Sequence, residues 1–205
     1  MKQFICVVVM AAAAVSAFAA TDIAPDALAR SVTDEVLAIV RADKDLQADN
    51  PQKVAQLVEV KVLPHFNFPH MTQLAVGKNW RQASPEQQNA LTEEFKTLLV
   101  RTYATAFAQY RNQSVDYRPV RMGPNDLDVV VKSLIKQPAG QPISIDYSME
   151  KLGSAWKVYD VKIEGISLVE NYRNTFNSQV QKGGVDGLIK ALADKNKALA
   201  LQAAK

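Results

Sequence analysis

The sequence predicts an α+β fold in which helices precede and follow a four-stranded antiparallel sheet. Three observations lead there. Apolar residues recur at helical spacing until Ser114, where the period changes to strand-like alternation. Four alternating segments follow, at 115–120, 127–135, 143–152 and 156–163, joined by short connections rich in Gly, Pro and Asn. Beyond Gly165 the helical period returns, with Leu168, Tyr172, Phe176 and Val180 four residues apart.

The chain opens with Lys2, an apolar run from Phe4 to Val15, and Ala17-Phe18-Ala19, with small residues at the two positions a signal peptidase inspects. The run is too short and wrongly flanked for a membrane anchor, so a secretory signal peptide is expected over 1–19, cleaved after Ala19. Residues 20–205 are then expected to form one α+β domain with helical N- and C-terminal parts. Cys6, the one cysteine of the chain, lies in the removed segment. The mature chain therefore has no disulfide and no thiolate metal site, and depends on a conventional core. The chain carries 24 Lys and Arg against 21 Asp and Glu. A balance this even is not the signature of a polyanion binder, and no nucleic acid partner is expected.

Each element has a local cause. Leu28, Val32, Val36, Ile39 and Val40 mark an amphipathic helix over 22–44. Asn50-Pro51 supplies a cap and a first-position proline for a second helix, striped by Val54, Leu57, Val58 and Val62 and stopped by Pro64. Pro69 starts a short helix and Gly77 ends it, leaving Trp80 as an apolar anchor. Ser84-Pro85-Glu86-Gln87 reads as a capping box opening a long helix whose face carries Leu91, Phe95, Leu98, Leu99, Tyr103, Ala106 and Tyr110. The strand at 143–152 alternates most cleanly, with Ile143, Ile145, Tyr147 and Met149 on one face. Such alternation favours an antiparallel sheet with one wet face, built from sequential hairpins. A helix is expected from about Ser167 to Gln181, interrupted at Gly183-Gly184, then a final helix with Leu188, Ile189 and Leu192.

No catalytic constellation emerges. His65 and His70, five residues apart beside prolines, would point about 140° apart on a shared helix, so they are not a metal pair. The chain has no nucleophile elbow, Walker loop or dinucleotide fingerprint. Asp160 sits in an apolar strand beside Tyr159, and aimed into a cavity it would be a candidate base; facing the sheet surface or capping a backbone group is the plainer assignment. Apolar periodicity alone does not separate a filled core from a lined cavity.

The order Leu63-x-His65-Phe66-x-Phe68, Gly77-x-x-Trp80, Ser84-x-x-Gln87, Phe95-x-x-Leu98-Leu99-x-x-Thr102-Tyr103, Trp156-x-Val158-x-Asp160-Val161, Gly165-Ile166-Ser167-Leu168, Asn171-Tyr172-Arg173 and Phe176 resembles the MlaC family, also called the toluene-tolerance family. The resemblance runs from roughly Pro51 to Asn196. It implies a soluble carrier of the Gram-negative periplasm, with a twisted antiparallel sheet of the NTF2 or cystatin-like kind covered by helices. The cavity between sheet and helices would hold the acyl chains of a glycerophospholipid. Its implied partners are an outer-membrane lipoprotein in complex with a porin and an inner-membrane ABC transporter that docks the carrier through an MCE-domain subunit. The implied role is maintenance of outer-membrane lipid asymmetry, by a monomer without cofactor or catalytic acid.

The pocket is expected in the cleft between the sheet and the long helix. Its candidate lining is Val129, Val131, Ile145, Tyr147, Met149, Val158 and Val161 from the sheet, and Phe95, Leu99, Tyr103, Ile166, Leu168 and Tyr172 from the helices. The head group is expected to stay in water at the mouth, since a buried phosphate without partners is costly. Arg111, Arg118, Arg121, Lys132, Lys136 and Lys162 are candidates for steering the carrier to an acidic partner surface. A small NTF2-like cavity enzyme and an exported adaptor with a filled core are the alternatives.

Overall fold

The structure, a computed structural model, describes residues 23–47, 50–108, 113–123, 125–138 and 140–203. The signal peptide and its cleavage point, together with Tyr110 and Arg111, lie outside the described residues.

Capping chemistry sets most helix starts. Helix α1 (Pro25–Ala42) has proline in its first turn, with Asp26 near its N-terminus and Arg41 near its C-terminus, each complementing the helix dipole. The short α2 (Lys44–Gln47) is capped by Asp43, whose Oδ1 accepts from the amides of Asp45 and Leu46 at 2.8 and 3.2 Å. Asn50 caps α3 (Pro51–Lys61), accepting from the amides of Gln52 and Lys53. A 3₁₀ turn at Leu63–His65 replaces the helix where Pro64 intervenes. Asn67 caps α4 (Phe68–Val76), and Gly77 ends it at φ +62°, a conformation open to glycine. A second 3₁₀ turn, Gly77–Gln82, leads to α5 (Pro85–Ala108). There the expected capping box is formed in both directions: Gln87 N donates to Ser84 Oγ at 3.2 Å, and Ser84 N to Gln87 Oε1 at 2.9 Å.

The sheet has five strands, not four, all antiparallel and in sequential order: β1 (Ser114–Tyr117), β2 (Asp128–Lys136), β3 (Ile143–Leu152), β4 (Ala155–Ile163) and β5 (Ile166–Ser167). The extra strand comes from a tight turn. Glu164 and Gly165 take φ +51° and +80°, which folds Ile166 and Ser167 back to pair with Ile163 and Lys162. Two residues are too short for a period to show in sequence. Ser148 pairs with Asp160 and Met149 with Val158, so Tyr159 is the extra residue of a bulge in β4.

The final helical run, α6 (Leu168–Ala203), is broken at the expected place, with Gly183 and Gly184 both outside helical φ/ψ. Its start is built by Asp160. The Oδ1 atom of Asp160 accepts from the amides of Val161 and Val169, its Oδ2 from the Ser167 hydroxyl, and Ser167 Oγ accepts from Glu170 N. A buried carboxylate at a helix N-terminus is favoured by the dipole as well as by these bonds.

Three apolar clusters divide the interior. One joins α4, α5 and α6 around Phe95, Leu91, Met71 and Leu188. A second joins α1, α2 and α3 around Val40, Val54 and Val58. The third lies on one face of the sheet around Val131, Met149 and Trp156. The segment after the first 3₁₀ turn stitches helices to sheet: Phe66 bridges Val158, Asn67 N donates to Val158 O, and Asn67 and His70 both bond Glu150 on β3.

Candidate functional site

Where the three clusters meet they do not close. A cavity of about 250 Å³ remains between the inner face of the sheet, α1, the α3 C-terminus and the middle of α5. Helix α1 contributes Leu28, Val32, Val36 and Leu37, one stripe of its amphipathic face. Helix α5 gives Leu99, Val100 and Tyr103, one turn beyond Phe95, which is fully buried in the helical core. The 62–71 segment closes one end with Val62, Leu63, His65, Phe66, Phe68 and Met71.

The structure brings Leu99, Tyr103, Ile145, Tyr147, Met149, Val158, Val161 and Leu168 together on the cavity wall. The remaining candidates lie elsewhere, each for a visible reason. Phe95 and Tyr172 stack edge-on at 5.2 Å, and both rings meet Phe176. The helical stripe that begins at Leu168 turns away from the sheet within one turn, so it fills the core between α5 and α6. Val129 and Val131 are buried in the sheet-face cluster with Met149, Trp156 and Val158 but do not reach the cavity lining. Ile166 is 63% exposed, on the outside of the tight turn that makes β5.

Several lining residues were not singled out in the sequence. Ile135, Ile163 and Val115 continue the alternation of strands already recognised, and the α1 stripe was recognised without its destination. His65 and Phe66 carry no periodic signal, and the tertiary bridge between Phe66 and Val158 brings this segment to the wall.

Few polar groups enter the lining, and most of them gather where α1 crosses the sheet. Thr33 Oγ1 and Tyr117 Oη share a hydrogen bond of 2.6 Å, and Tyr117 Oη donates to Ala29 O at 3.2 Å. Arg30 lies 5.3 Å from the Tyr117 ring centroid, a cation–π contact. Burial pushes the Tyr117 hydroxyl above its ordinary range, partly offset by bonds from Thr33 and Tyr147. At the other end, burial and then the charge of Lys157 hold the His65 imidazole below its usual value, against a weaker pull from Glu35. A neutral imidazole and hydrogen-bonded hydroxyls leave the cavity without a charged wall.

This arrangement suits an apolar guest. Asp160, the candidate base, does not line the cavity, and its two oxygens are taken by the α6 start. Among the described residues, no group of three or more His, Cys, Asp or Glu side chains could hold a metal ion, and no helix is long and apolar enough to cross a membrane. Of the cationic candidates on the strands, Lys136 is paired with Asp116 at 2.5 Å and Lys132 lies 3.9 Å from Asp146.

Comparison with known proteins agrees with the geometry. The chain is 45% identical to a solved phospholipid-binding protein from Ralstonia solanacearum, in complex with a phospholipid; the match has a TM-score of 0.79 and covers 85% of this chain and 98% of that one. It is 24% identical over 184 residues to the intermembrane phospholipid transport system binding protein MlaC of Haemophilus influenzae, covering 88% of this chain and 86% of the relative. It is 25% identical over 163 residues to the toluene tolerance protein ttg2D of Pseudomonas putida, covering 79% and 75%. The family model described as MlaC protein matches residues 30–194, from within α1 to late in α6. The chain belongs to the MlaC family.

Proposed function

We propose that the protein is a soluble carrier that takes up glycerophospholipid acyl chains in the cavity between α1, α5 and the sheet. The observation that carries this reading is the cavity itself, apolar on every wall and free of charged lining groups. Two acyl chains of about 16 carbons carry a penalty on the order of 25 kcal/mol in water, at ~0.8 kcal/mol per methylene. A free lipid therefore does not cross an aqueous compartment at a useful rate, and a dry slot of bilayer-like affinity removes that barrier without holding the cargo irreversibly. Apolar walls suffice, so the reading needs no cofactor and no catalytic acid. The head group stays in water at the mouth, which gives little head-group selectivity.

The cavity is slightly smaller than the ~300–1,000 Å³ usual for small-molecule pockets. Loading a two-chain lipid requires a wall to move, and α1 is the wall proposed to do so, its polar contacts with the sheet including those of Arg30 and Thr33 with Tyr117. The periplasm is the compartment that fits this role, with export directed by residues 1–19. The lipid would pass between an outer-membrane lipoprotein and porin complex and an MCE-domain subunit of an inner-membrane ABC transporter, maintaining outer-membrane lipid asymmetry. Transfer of a fluorescent phospholipid between two vesicle populations tests the reading. The purified protein should accelerate transfer in proportion to its concentration, and Leu99→Asp or Val158→Asp should abolish it. Equal rates with and without protein would refute carriage.

A further inference from the structure

A second concavity lies on the far side of α4 from the cavity. It is an open groove of about 590 Å³ between α4, the 3₁₀ turn Gly77–Gln82 and the first part of α6. Its charged lining groups are Lys78, Arg81 and Arg173, over a floor of Leu74 and Trp80, and no acidic residue lines it. Among the described residues, neither Lys78 nor Arg81 has an ion-pair partner, unlike Lys132 and Lys136 on the sheet.

The groove is held in shape from both sides. Arg173 Nε donates to Leu74 O at 3.1 Å, satisfying a carbonyl in the last turn of α4. Asn79 Nδ2 donates to Asn177 Oδ1 at 2.8 Å, pinning the 3₁₀ turn to α6. Gln88 Nε2 donates to Trp80 O at 3.1 Å, fixing the same turn to α5. These bonds fix the Arg173 guanidinium and the turn that carries Lys78 and Arg81, which lowers the ordering cost of binding an anionic partner. Gly77, Trp80 and Arg173, prominent in the sequence motifs, have no place in the cavity and meet here.

We propose that this groove docks an acidic, extended segment of a partner protein, with carboxylates paired to Lys78, Arg81 and Arg173 and an apolar side chain seated on Leu74 and Trp80. Charge complementarity selects the sign of the partner. Shape selects its class, because a groove admits a strand of polypeptide and a flat bilayer surface does not enter it. Among the described residues, none of the exposed large apolar side chains lines the groove to insert into a membrane. Helix α4 presents Phe68 and Met71 to the cavity and Gln73 and Leu74 to the groove, so a docked partner rests against the outer side of a cargo wall. The proposal does not depend on what the cavity carries.

The test uses the mature protein with Trp156→Phe, so that Trp80 is the only indole and reports from the groove. The probe is a short acetylated peptide of alternating glutamate and leucine, titrated at low salt, with a lysine–leucine peptide as control. The acidic peptide should shift Trp80 emission saturably, and the effect should fade at high salt. Lys78→Glu with Arg81→Glu should weaken binding by about tenfold or more. Lys195→Glu with Lys197→Glu, which change net charge equally on a remote stretch of α6, should not. All four positions are exposed, and unchanged thermal unfolding would show that the fold is intact. Equal binding by the two double variants would overturn the proposal. So would absence of peptide binding while anionic phosphatidylglycerol vesicles shift Trp80, an outcome that assigns the groove to a membrane surface.

Discussion

Removing one oxygen atom from Tyr117 should loosen the outer wall of the cavity. Its hydroxyl makes two bonds to α1, 2.6 Å to Thr33 Oγ1 and 3.2 Å to Ala29 O, while its ring keeps the Arg30 contact in Tyr117→Phe. Each such bond contributes about 1 kcal/mol net, so the variant should lose about 2 kcal/mol of α1 attachment, roughly a thirtyfold rise in its open population. Hydrogen–deuterium exchange followed by mass spectrometry reads this locally: α1 amides should exchange about thirtyfold faster in the regime where exchange follows the opening equilibrium, with α5 amides unchanged. Adding Thr33→Val removes the partner left unsatisfied by the first change, so the double variant should be less perturbed than the sum of the singles. Uniform acceleration across α1 and α5, or none in α1, would refute the idea that this cluster latches the wall.

Other residues separate core from cavity and structure from chemistry. Phe95→Ala empties a fully buried site and should cost about 3–5 kcal/mol in urea unfolding, whereas Leu99→Ala, which borders existing space, should cost less and mainly lower lipid occupancy. Asp160→Ala leaves the Val169 amide and Ser167 hydroxyl without their acceptor and should destabilise the protein by about 3 kcal/mol; lipid carriage measured below the melting range should survive, because Asp160 does not line the cavity. His65 has a folded pKa below its ordinary 6.5, so the folded chain binds fewer protons than the unfolded chain. Its contribution to stability is therefore complete above about pH 6.5 and is lost as pH falls through the folded value; His65→Gln should flatten the fall of Tm over that interval.

What could be read in advance follows the range of the forces involved. Caps are local, and Asn50, Ser84 with Gln87, and Gly183-Gly184 marked their boundaries because the partner groups lie within a few residues. Strands β2 to β4 were legible because a half-buried sheet imposes a period of two. β5 was not, since it follows from two consecutive positive φ values and spans two residues. At the site, periodicity identified apolar faces but not what each face meets. Tyr172 and Leu168 share one stripe, yet one ring packs on Phe95 and the other side chain reaches the cavity. The α1 wall and His65 depend on contacts across the whole chain, such as Tyr117 with Thr33 and Phe66 with Val158, which no local pattern encodes.

The central claim is that the cavity holds a lipid, and native mass spectrometry of protein purified without detergent tests it most directly. The account predicts a species heavier than the polypeptide by the mass of a glycerophospholipid, about one per chain, which organic extraction releases and Leu99→Asp lacks. Only the bare polypeptide mass, before and after incubation with phospholipid vesicles, would contradict it.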